Sequence, residues 1–109
     1  MAGVTILSFP PALSNPTSWG ARVVTVVTSG TPVQGLNIPI ANSISVALIS
    51  DKENSGNVYV ANSSLNTGNT SARYVLRPAE SLTLQITNSN LVWFDASANN
   101  QIINLIVEA

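Results

Sequence analysis

The chain has 109 residues, 45% of them hydrophobic, with no cysteine and no histidine. Disulfides and thiolate metal sites are thereby excluded, and the commonest general base and metal ligand are missing. Only 8% of residues are charged and the formal net charge is −1, so repulsion between copies is weak and association is favoured. In place of charge the surface carries neutral polar residues: 13 Asn, 14 Ser and 9 Thr.

Residues 1–20, MAGVTILSFPPALSNPTSWG, read as an N-terminal arm, and residues 21–109 as one domain. Val4 to Phe9 has the composition of a short strand. Pro10, Pro11 and Pro16 then remove backbone donors and forbid helix or central-strand pairing. The arm also carries Ile6, Leu7, Phe9, Leu13 and Trp19, apolar surface that needs something to lie against. Two destinations follow: its own domain, as an edge strand plus loop, or a neighbouring subunit. No basic segment and no long apolar run precedes Val4, so the expectation is a chain made and used in a cytosol, or in an assembly formed there. No apolar run approaches the roughly 20 residues that a membrane helix needs.

Arg22 to Thr28, RVVTVVT, is β-branched almost throughout and predicts a strand. Val33 to Ile40 is extended, with Pro39 confining it to an edge or bulge. Ile44 to Ser50 alternates and predicts the next strand. The polar stretch Asp51 to Asn57 then leads to a return strand at Val58–Ala61. Asn62 to Ala72 is a loop of Ser, Asn, Thr and Gly, long enough to be functional or mobile.

From Tyr74 to Asp95 the pattern is clearest. Leu82, Leu84 and Ile86 point one way and Ser81, Thr83, Gln85 and Thr87 the other, the two-residue period of a strand with one wet face. Asn88-Ser89-Asn90 reads as a turn, and Leu91-Val92-Trp93-Phe94 as the antiparallel partner, which makes a hairpin the expected centre of the domain. Ile102 to Glu108, IINLIVE, closes the chain as a strand apolar on both sides. Six to eight short strands with no helical period predict an all-β fold: an antiparallel β-sandwich or jelly-roll-like barrel. Because RVVTVVT and IINLIVE are two-faced, something must cover their outer faces.

The chain lacks a catalytic inventory, and we expect no enzyme, no cofactor and no metal. Glu80 and Asp95, placed at one edge of the expected hairpin, are the one carboxylate pair worth testing for glycoside hydrolysis, and solvated turn residues are the plainer reading. Asp51, Glu53, Asn54 and Asn57 are rich in oxygen but match no EF-hand spacing. A serine nucleophile would need Lys52 as its base, and no nucleophile elbow is present. Two glycosylation sequons in the 62–72 loop are chance matches in an Asn/Ser-rich stretch. Four basic residues are too few for a nucleic-acid partner. The aromatic residues leave a binding hypothesis: a platform for a sugar ring, set against Trp93 and Phe94 dividing between the core and a neighbour.

The C-terminal half resembles a pattern in small tailed-phage virion proteins. It is carried by Gly56, Val58, Tyr59, Val60, Leu76, Pro78, Glu80, Ser81, Leu91 and Trp93, a Gly-x-Val-Tyr-Val strand followed by a Leu-x-Pro-Gly-Glu-Ser turn. Ala79 stands where that pattern has glycine, so the turn is expected to manage without a positive φ there. The resemblance implies a capsid decoration (cement) protein, found in the virion on the capsid exterior and assembled in the host cytoplasm. It further implies a homotrimer bound to the major capsid protein, with the arm residues at the interface. The alternative it leaves is a head or tail fibre, or a carbohydrate- or receptor-binding module.

Overall fold

The computed structural model describes residues 19–40 and 45–108. Among the described residues there are eight strands: β1 (Trp19–Val26), β2 (Val33–Gln34), β3 (Val46–Ser50), β4 (Val58–Ala61), β5 (Tyr74–Leu76), β6 (Ser81–Leu84), β7 (Trp93–Ala96) and β8 (Gln101–Glu108). They form two four-stranded sheets, ordered β1-β8-β3-β6 and β2-β7-β4-β5. Every strand pairing is antiparallel, and the two sheets pack as a small β-sandwich.

The core follows from the two-residue period. Val24 and Val26 of β1, Val46 and Leu48 of β3, and Ile103, Leu105 and Val107 of β8 turn inward from the first sheet. Val58, Val60, Leu76, Phe94 and Ala96 meet them from the second. Register aligns Leu48 with Leu105 on one side and Leu82 on the other, so an apolar row runs across three strands. Phe94 is the largest wholly buried side chain. Each such burial contributes about 1.5–3 kcal/mol.

The expected hairpin does not form. β6 pairs with β3 in the first sheet, while β7 lies between β2 and β4 in the second. The reason lies in Asn88-Ser89-Asn90, whose polar groups are drawn to a distant segment instead of closing a reversal. The Asn88 Oδ1 accepts from the amides of Ile38 (3.1 Å) and Asn90 (2.9 Å), and its Nδ2 donates to Asn37 Oδ1 at 2.8 Å. The Ser89 hydroxyl, buried, donates to the Leu36 carbonyl. Ser89–Leu91 therefore forms a 3₁₀ turn that carries the chain from one sheet to the other. Pro39, expected at an edge or bulge, makes an isolated antiparallel bridge with Asn88. Asp51–Asn57 is likewise a crossover, because β3 and β4 lie in different sheets.

The turn from β5 to β6 departs from expectation too. Glu80 N donates to Arg77 O at 3.0 Å with Pro78 and Ala79 between them, and Ala79 has φ of 72°. Proline followed by a positive φ is the signature of a type II turn. Alanine adopts that conformation because the turn is held on both flanks: Ala79 N donates to Ser50 O, and Ser50 N to Glu80 O, each at 2.9 Å.

Candidate interaction surface

The two outer faces of the sandwich are unlike. On the second sheet Tyr59, Ala61, Trp93 and Asp95 point outward, opposite in parity to the buried Val60 and Phe94. Residues 62–72 fold against β4 and β7 around a 3₁₀ turn at Leu65–Gly68. Thr67 is buried there and its hydroxyl donates to Ser64 O at 2.7 Å. The Arg73 guanidinium sits 3.7 Å above the Tyr59 ring and donates to Thr67 O at 3.1 Å, which ties the loop to the sheet. Asp95 is buried, its Oδ1 accepting from Gly30 N at 2.9 Å and Ala96 N at 2.8 Å. This flank is largely closed by the chain itself.

On the first sheet no such cover exists among the described residues. Register places Ala21, Ile106, Ala47 and Thr83 in one outward row across β1, β8, β3 and β6. The next row is Val23, Asn104, Ile49 and Ser81. None of the eight is charged. Val23 is 55% exposed and Ile106 40%, and Val27 beyond the end of β1 is 61% exposed. Charge enters at the rim. Asp51 Oδ2 accepts from Glu53 N and Oδ1 from Asn104 Nδ2, both at 3.0 Å. These bonds, the backbone one foremost, hold the Asp51 carboxyl below the ordinary carboxylate range.

Glu80 and Asp95 belong to different sheets, since the hairpin that would have joined them does not exist. Glu80 is exposed and its Oε1 accepts from Arg77 N at 2.8 Å. Asn54 uses its side chain to fasten its loop: Nδ2 donates to Ser50 Oγ (3.0 Å) and Ile102 O (2.8 Å), and Oδ1 accepts from Ile102 N (2.8 Å). Among the described residues no group of three or more His, Cys, Asp or Glu is placed to hold a metal.

The aromatic residues disperse as well. Phe94, considered as a contact residue, is wholly buried and presents nothing to a partner. Trp93 is half-buried on the outer face of the second sheet, opposite Gln34 and Ala61. Tyr59 lies under Arg73, whereas Tyr74 lines a groove at the far edge. Of the arm residues, Ile6, Leu7, Phe9 and Leu13 lie outside the described residues, as does the Trp19 side chain. The Trp19 backbone opens β1.

Outward apolar residues were legible in the two-faced strands RVVTVVT and IINLIVE. The groove was not, because it joins residues from β4, β6 and the 71–74 and 91–92 segments. Comparison with protein-family models, curated proteins and solved structures finds no match.

Proposed function

We propose that the chain is a structural virion subunit of a tailed phage: a capsid decoration protein that binds the outer surface of the major capsid protein shell as a homotrimer and braces it. One observation carries this reading. The two central outward rows of the first sheet carry no charge, join Ala21, Val23, Ala47, Ile49 and Ile106 with Ser81, Thr83 and Asn104, and have no cover among the described residues, while the opposite flank is covered by residues 62–72. A contiguous exposed apolar patch marks an interaction site, and the centres of protein interfaces are depleted in charge. A small overall charge lets many copies crowd on one shell.

Two further features support it. The strand orders 1-8-3-6 and 2-7-4-5 favour a jelly-roll winding, a plan common among viral capsid domains, and this is an analogy of fold alone. The other is the resemblance carried by Gly56 to Trp93. The mechanism is mass action: a ligand that binds only the assembled shell stabilises it by about 2.7 kcal/mol at a hundred times its dissociation constant.

The test is co-sedimentation of the purified protein with phage heads that lack it, followed by heat challenge. Wild type is expected to pellet with the heads and delay their rupture. The double variant Val23→Lys/Ile106→Lys is expected to keep its circular dichroism spectrum and lose binding at least tenfold. A wild-type protein that never pellets with heads refutes the proposal.

A further inference from the structure

The two sheets part along one edge. β5 ends the second sheet and β6 the first, and past the Arg77–Glu80 turn they leave between them a groove of about 600 Å³. Leu82, Leu84 and Ile86, each half-buried, form one wall. Val60, Tyr74 and Leu91 face them, and Tyr74 and Leu91 are 54% and 51% exposed. Arg73 is the one charged residue among the described residues of the lining. Sandwich interiors are normally filled to crystal-like density, so an apolar cleft of this size is a place for something else. β6 also ends its sheet, and its outer edge has no strand beside it among the described residues.

We propose that this groove is the docking site for the N-terminal segment, residues 1–18, of a second copy of the chain. The segment supplies what the groove lacks: Val4, Ile6, Leu7 and Phe9, in a stretch as long as Ser81 to Ile86. Such a stretch can lie along a sheet edge with alternate side chains, Leu7 and Phe9, in the cleft. The segment also starts from the correct end. It joins β1 at Trp19, which pairs with Glu108, and the same end of the sheet leads through Val107 and Val46 to Leu84.

Distance lets the segment leave its own chain and reach a neighbour's groove. β1 and β6 are three strand spacings apart, about 14 Å. Between Phe9 and Trp19 stand Pro10, Pro11 and Pro16, and a proline-rich spacer of that length spans about 30 Å at roughly 3.1 Å per residue. A head-to-tail contact of this kind closes into a ring when its rotation allows. The inference deepens the homotrimer in the proposed function and is independent of capsid binding, so either can fail alone.

The absence of native cysteine makes the test clean. Full-length Leu7→Cys and Leu91→Cys proteins are mixed in equal amounts under mild oxidation and run on a non-reducing gel, each alone as a control. A mixed covalent dimer well above either control is expected. In parallel, Leu91→Glu, at an exposed position that spares the core, is expected to weaken self-association at least tenfold by light scattering with an unchanged circular dichroism spectrum. Absence of the mixed dimer overturns the proposal. So does a double variant Leu7→Cys/Leu91→Cys that closes within one chain, or an oligomer that withstands Leu91→Glu.

Discussion

Ala79→Gly is expected to stabilise the protein. Ala79 has φ of 72°, where a Cβ crowds the following carbonyl and an L-residue pays about 1–2 kcal/mol. Glycine removes that penalty but makes the unfolded chain more flexible, which returns about 0.4–1 kcal/mol. The net gain is about 0.5–1 kcal/mol, or about 2–5 °C in Tm for a domain of this length. The strain cannot relax locally, because the Ala79 amide and the Glu80 carbonyl are both bonded to Ser50 at 2.9 Å. Differential scanning calorimetry and urea titration read the change, with an unaltered m-value showing that neither end state has changed its compactness. Ala79→Val supplies the opposite sign, since a β-branched side chain tolerates positive φ worst. If Ala79→Gly leaves Tm unchanged or lowers it, the turn does not hold the conformation described.

A Cβ at Gly35 would meet the Ser89 carbonyl oxygen closer than real Cβ atoms approach, while Gly35 N donates to Val92 O at 2.8 Å. Gly35→Ala is therefore expected to cost about 1–3 kcal/mol, seen as a lower urea midpoint, and a neutral effect would show that the 35–40 segment does not lie against 87–92 as described. Asp51 carries the pH dependence. Its folded-state pKa is depressed, so its contribution is complete above the unfolded value, about 3.9, and is lost as pH falls through the folded one. The Tm advantage of wild type over Asp51→Asn should be constant near neutral pH and shrink below about pH 4. An advantage that persists at low pH would contradict the bonds from Glu53 and Asn104.

Much of this protein was readable from neighbouring residues. Strand identity in RVVTVVT, ISVALIS and IINLIVE depends on β-branching and the two-residue period, and both are local properties. The inward face of Leu82, Leu84 and Ile86 followed from the same alternation. So did the excess of outward apolar residues, because a strand must place half its side chains on each face whatever it pairs with.

Which strand pairs with which was not local. Leu82 and Phe94 would satisfy their periods equally well as hairpin partners or in separate sheets, and the choice fell to contacts some fifty residues away in sequence, between Asn88 or Ser89 and residues 36–38. The left-handed Ala79 was decided in the same way, by the grip of Ser50 upon a turn whose own sequence argued against it. The groove and the contrast between the two flanks exist only once two sheets have closed on one another and a loop has covered one flank. Composition and period set the elements and the polarity of their faces; hydrogen bonds between remote segments set the topology, and with it every surface offered to a partner.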